Sequence, residues 1–172
     1  MPLKILYALF IIINSPLLIA QTCQTTTITA STPNNRFTIN TNGTVLDTKT
    51  GLLWKQCSEG LSGINCATGN ATTYTWQGAL QQAQTVNNVG FTGYKDWRVP
   101  NIKELRSITE RQCYDPSINL TVFPNTISNY YWSSSPVAYN SYYAWIVDFY
   151  SGSDYWDLKD GNNFVRLVRG GQ

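Results

Sequence analysis

Residues 144–169 read AWIVDFYSGSDYWDLKDGNNFVRLVR. Trp145, Val147 and Phe149 recur at every second position, which predicts a strand over 144–150 with those three on one face. Ser151-Gly152-Ser153-Asp154 carries turn residues, and Tyr155 to Leu158 returns as the next strand. Lys159-Asp160-Gly161-Asn162 turns the chain again, and Phe164 to Arg169 alternates as a closing strand. Tyr130 to Ser135 is a further strand upstream. This part of the chain therefore reads as antiparallel sheet.

The same region has a distinctive surface. From Tyr139 to Asn163, 17 of 25 positions are Tyr, Ser, Asn, Asp or Gly, set on the apolar frame of Trp145, Val147, Phe149 and Phe164. Tyr offers rigid contact area at low entropy cost, and the small polar residues adapt their hydrogen bonds, so this is the composition of a paratope. A polar sheet face in which Tyr serves strand propensity would look similar. The ligand-binding reading takes Tyr139, Tyr142, Tyr143, Tyr150, Tyr155 and Trp156 for stacking, with Asn140, Asp154, Asp157 and Asn162 for polar contacts.

Upstream, Trp76, Ala79, Leu80, Ala83 and Val86 follow helical spacing, with Thr75 as N-cap. Asn101-Ile102-Lys103-Glu104 is a capping box that opens a second, short helix with Ile102 and Leu105 inward. Phe37, Ile39, Val45, Leu46 and Leu52-Leu53-Trp54, separated by Thr41-Asn42-Gly43-Thr44 and Asp47-Thr48-Lys49-Thr50-Gly51, form a small N-terminal meander. Residues 111–129 read as a long loop anchored by Ile118, Leu120, Val122 and Phe123. The sum is α+β: two helices on one mostly antiparallel sheet that takes strands from both ends of the chain.

Composition narrows the chemistry. The chain has 172 residues, 12 basic against 10 acidic, and only 13% charged. It is globular and of single-domain size. With no basic run, nothing points to a nucleic acid. There is no His, which removes the Ser-His-Asp and Cys-His constellations and every His-ligated metal site. The densest acidic group is Asp148, Asp154, Asp157 and Asp160. These suit turn and strand positions, and no calcium loop of the Asp-x-Asp-x-Asp-Gly kind accompanies them. No catalytic residue, metal or cofactor is expected, and a glycosidase using two of these Asp residues is the lesser alternative.

Residues 1–20 read as a secretory signal peptide: Lys4, an apolar run from Ile5 to Ile13, a break at Asn14-Ser15-Pro16, and a cut after Ala20. The run is too short to span a membrane. Residues 21–35 are Thr-, Asn- and Pro-rich, an extended and poorly packed lead-in to a domain over 36–172. Four cysteines follow the cut, an even count suited to disulfides in an exported chain. Cys57 and Cys66 bracket a Gly/Ser/Asn loop and are expected to pair, which leaves Cys23 with Cys113.

Asp96-Trp97-Arg98-Val99-Pro100 reads as architecture, with Trp97 in the core and the two charges satisfying loop backbone. Here a resemblance enters. Asp47-Thr-Lys-Thr-Gly-Leu-Leu-Trp54, Thr75-Trp76, Gly93-Tyr-Lys-Asp-Trp-Arg-Val-Pro100, Lys103-Glu104-Leu105, Tyr131-Trp-Ser-Ser-Ser135, Ala144-Trp145 and Phe164-Val-Arg-Leu-Val-Arg169 stand in the order of one family. The chain resembles the Lcl C-terminal domain family, the C-terminal module of a bacterial collagen-like adhesin. That resemblance implies a C-type-lectin-like fold with N- and C-terminal strands adjacent and a loop-rich ligand face. It also implies an adhesin-like role, since the adhesin's domain binds sulfated glycosaminoglycans. The Glu-Pro-Asn and Trp-Asn-Asp calcium motifs of C-type lectins are absent.

The expectation is thus a non-enzymatic module, secreted, periplasmic or at the cell surface, that binds a glycan or surface protein through residues 139–163. It has no membrane span after cleavage near Ala20, and a homo-oligomer or self-associating structural subunit is the alternative.

Overall fold

The computed structural model describes residues 21–170, so the signal peptide expected over 1–20 lies outside the described residues. Strands β1 (Thr22–Cys23), β2 (Phe37–Ile39), β3 (Thr44–Asp47), β4 (Leu52–Lys55), β5 (Leu61–Ser62), β6 (Thr68–Gly69) and β7 (Thr73–Tyr74) precede helices α1 (Trp76–Val89) and α2 (Ile102–Ser107). Strands β8 (Cys113–Tyr114), β9 (Tyr130–Pro136), β10 (Tyr143–Asp148), β11 (Ser153–Leu158), β12 (Asn163–Phe164) and β13 (Val168–Arg169) follow. The class is α+β, as expected.

The single expected sheet is in fact two. A five-stranded sheet runs β11-β10-β9-β12-β7 and a four-stranded one β13-β4-β3-β2, beside the small pairs β1-β8 and β5-β6. Among the described residues only the β12–β9 contact is parallel. The expected closing strand 164–169 divides between them: Phe164 pairs in the larger sheet, and Val168-Arg169 lies against Trp54-Leu53 in the smaller. Arg166 is the reason. It is fully buried, and its guanidinium donates to the carbonyls of Lys55 and Gln56, to Ser58 Oγ at 3.2 Å and to Thr126 Oγ1 at 2.7 Å. Burial lowers its pKa to about 10, which leaves it charged at neutral pH. Alternation on its own cannot separate a half-exposed strand from a buried crossing with one satisfied arginine.

The helices sit on opposite faces of the five-stranded sheet. Thr75 caps α1 by accepting from the Gly78 N–H, and Ala79 and Ala83 pack with Trp132, Ala144 and Ile146. Both arms of the Asn101–Glu104 capping box are formed on α2, whose Leu105 packs with Tyr131 and Val147. β10 is therefore buried on both sides: Val147 and Phe149 toward α2, Ala144 and Ile146 toward α1. The α2-side core runs on into the smaller sheet, where Phe123 stands edge-on to Phe37 and Trp54.

Trp97 is buried, and the Asn87 side chain bonds both its backbone N–H and its carbonyl at 2.8 Å. The flanking charges do more than satisfy backbone. Arg98 makes two 2.7 Å bonds to Glu104 and one to the Gly170 carbonyl, and Asp96 accepts two from Arg169. This motif clasps α2 to β13 and the residue after it.

Both disulfides form as expected, Cys23–Cys113 and Cys57–Cys66. The lead-in is better packed than its composition suggests. The Glu110 carboxylate accepts from the Ser31 and Thr32 backbone amides and from the Thr32 hydroxyl, and Thr32 and Glu110 are both buried. Among the described residues no helix is long and apolar enough to cross a membrane.

Candidate functional site

Two loops and a helix start meet at one end of the five-stranded sheet. The β9–β10 loop bears Tyr139, Asn140 and Tyr142, and the β11–β12 loop bears Lys159, Asp160 and Asn162. Lys159 ties them together: its N–H donates to the Tyr142 carbonyl at 2.8 Å, and its own carbonyl accepts from Trp76 N–H at 3.0 Å. Its ammonium lies 4.3 Å from the centre of the Trp76 ring, a cation–π contact. Trp76 Nε1 donates to the Ser133 carbonyl, which fixes the indole against the sheet. The frame is thus rigid where the outer side chains are free.

Tyr139 and Tyr142 are 76% and 74% exposed. An aromatic ring costs free energy when left in water, so two such exposed rings on one hydrogen-bonded loop mark a contact surface. Asn140 shapes the loop from within, as its side-chain carbonyl oxygen accepts from the Tyr142 N–H at 3.1 Å. Asn162 is exposed on the β11–β12 loop. Asp157 is held inward by Asn163 Nδ2 at 2.8 Å and by the Leu158 N–H.

Not all ten sequence-derived residues gather here. β10 and β11 pair in register, so Tyr143 faces Leu158 and Trp145 faces Trp156 on the α2 side, while Tyr155 faces Ile146 on the other. Trp145 and Trp156 meet edge to face at 5.7 Å, with Trp156 half exposed. Tyr150 lies at the opposite end of the sheet, where it packs edge-on against Tyr114. Asp154 also lies toward that end and pairs with Arg106 at 3.1 Å. A six-residue strand separates the two ends by about 17 Å. Asp154 and Asp157, three positions apart on a strand, project from opposite faces.

Sequence reasoning missed Trp76 as a member of this surface, because its helical spacing assigned it to the α1 core face. It also missed a cleft of about 690 Å³ between the β2–β3 turn and the Cys57–Cys66 loop, lined by Ile39, Gly43, Lys55, Leu61, Ile64 and Phe91. Ile64 is 88% exposed at its lip. The Gly-rich loop between the two cysteines was the available signal. Lys55, the charged group of that cleft, is already paired with Glu59 at 2.6 Å, which leaves it little for a ligand. Among the described residues no group of three or more His, Cys, Asp or Glu is placed to hold a metal ion.

A family model described as the Lcl C-terminal domain matches residues 43–169. None of the curated proteins matches the chain.

Proposed function

The chain belongs to the Lcl C-terminal domain family, and from that membership we propose that it is a secreted or cell-surface ligand-binding module of C-type-lectin-like fold. Its ligand is a glycan or another surface ligand, bound at the end of the five-stranded sheet that carries Tyr139 and Tyr142. The observation that carries the reading is the pair of exposed tyrosines on a loop braced by Lys159 and Trp76. Tyr rings stack on the apolar faces of sugars, and Asn162, Asp160 and the Lys159 ammonium supply polar partners for hydroxyl or acidic groups. Placement of β13 beside β4 supports a lectin-like closure, since it brings a C-terminal strand against the N-terminal meander. Two disulfides suit an oxidising compartment. Binding is favoured over glycoside hydrolysis because Asp154 and Asp157 face opposite ways, each with a partner of its own.

The test is a glycan array with the oxidised protein, with and without EDTA, followed by titration of the best ligand. Replacing Tyr139 and Tyr142 together with Ala is expected to weaken binding at least about tenfold, or ~1.4 kcal/mol, with the thermal midpoint unchanged. EDTA is expected to have no effect. Affinity that survives the double substitution removes this face from the function. A blank array from folded protein overturns the glycan reading.

A further inference from the structure

β11 stands outermost in the five-stranded sheet, and its six residues pair with β10 without a register shift. The other outer strands of the two large sheets are short: β7 and β13 have two residues each and β2 has three. Free edges are normally blunted by lysine, proline or a bulge. β11 reads SDYWDL and has none of these. Its two carboxylates are turned to partners in their own chain, Asp154 to Arg106 and Asp157 to Asn163. Tyr155 and Trp156 are left about half exposed.

Register decides which backbone groups remain free. Lys159 N–H donates to the Tyr142 carbonyl, so the hydrogen-bonded pairs with β10 alternate through Asp157, Tyr155 and Ser153. The Phe149 N–H bond to the Asn129 carbonyl, on the other side of β10, gives the same alternation. Backbone groups of Asp154, Trp156 and Leu158 therefore point away from the sheet. Leu158 is satisfied locally, its N–H by Asp157 Oδ1 and its carbonyl by Gly161 N–H, both at 2.8 Å. Asp154 and Trp156 keep an outward N–H and an outward carbonyl each.

We infer that β11 is the contact through which two copies of this chain associate, antiparallel and centred on Tyr155, so that the two five-stranded sheets become one. In that register Asp154 of each copy lies opposite Trp156 of the other, and each free N–H meets a free carbonyl. No carboxylate faces another: Asp157 lies opposite Ser153. A register centred on Trp156 would need the groups that Leu158 has already committed. The arrangement closes on itself as a two-fold dimer, because among the described residues neither sheet offers a second edge of comparable length. The Tyr139–Tyr142 loop precedes β10, one strand in from this edge, and neither tyrosine is on β11.

Sedimentation equilibrium of the oxidised chain, from micromolar to near-millimolar concentration, is expected to show the mass doubling. Tyr155→Lys and Tyr155→Glu each bring like charges together at the two-fold axis and are expected to weaken dimerisation at least about tenfold. An equimolar mixture of the two is expected to dimerise again, since position 155 meets itself only in this register. Trp156→Pro removes an outward N–H and is expected to give a folded monomer. Near-UV circular dichroism checks folding, and the two Tyr155 variants, altered at a half-exposed side chain, carry the test if the Pro variant does not fold. A strict monomer throughout, a dimer that Tyr155→Lys leaves intact, or a mixture that stays monomeric overturns the inference. Tyr139→Ala with Tyr142→Ala is expected to leave the dimer unchanged, so the ligand reading and this one fail separately.

Discussion

Arg166 holds a cation inside the protein with no carboxylate of the described residues in hydrogen-bond contact. Two backbone carbonyls, two hydroxyls and the Phe123 ring at 4.8 Å take the place of water. Truncation strands those acceptors and opens a cavity, so Arg166→Ala is expected to cost at least about 3 kcal/mol in urea unfolding. Arg166→Lys should fall between, because it keeps the charge and loses the planar fork. Glu110 gives a pH signature. Burial raises its pKa, but hydrogen bonds from the Thr32 hydroxyl and from the Gln112, Ser31 and Thr32 amides outweigh this and hold it below 4.5. A depressed carboxylate stabilises above its unfolded pKa, and that stability is lost as the pH falls through the folded value. The thermal midpoint is therefore expected to drop below about pH 4.5. In Glu110→Gln the drop is shallower and the neutral-pH midpoint lower. Composition marked the region that carries Tyr139 and Tyr142 but did not separate them from Tyr143, Tyr150 and Tyr155. Inward-turned Asp157 was not legible, because a turn-type Asp looks the same whether it faces solvent or a neighbouring Asn.

Local chemistry set the elements well where it was strong. Both helices start at the caps that side-chain type indicates, and the meander turns fall on Asn42-Gly43 and Thr50-Gly51, with φ of +82° and +72° at the two glycines. α2 has only six residues and leans on its cap. Asn101→Ala is expected to cost about 1 kcal/mol, read as a lower urea midpoint at unchanged m. Glu104→Gln should cost more, since Glu104 also holds Arg98. Sequence periodicity failed at the segment 164–169, where a change of sheet leaves no mark on the hydrophobic pattern. It also could not show that β10 is covered on both faces, since Ala144 and Ile146 looked like the lesser side of an alternation.

For the whole molecule, the two disulfides differ in what they restrain. Cys23–Cys113 closes a span of 90 residues and Cys57–Cys66 one of 9. On the chain-entropy account they are worth about 4.6 and about 2.6 kcal/mol, so Cys23→Ser with Cys113→Ser should lower stability more than Cys57→Ser with Cys66→Ser. Thermal melts of the two double variants check the order. The pairing itself was readable from spacing because the short loop left one partner for the remaining two cysteines. That the molecule is two sheets sharing one crossing segment was not readable, because the pairings that make it so lie far apart in sequence, such as Trp54 with Val168.

That crossing has a consequence for biogenesis. Asn163–Phe164 completes one sheet and Val168–Arg169 the other. Until this short segment has emerged, neither sheet has its full set of strands. The two sheets are therefore finished in one event, and a change that displaces this segment unpairs strands in both.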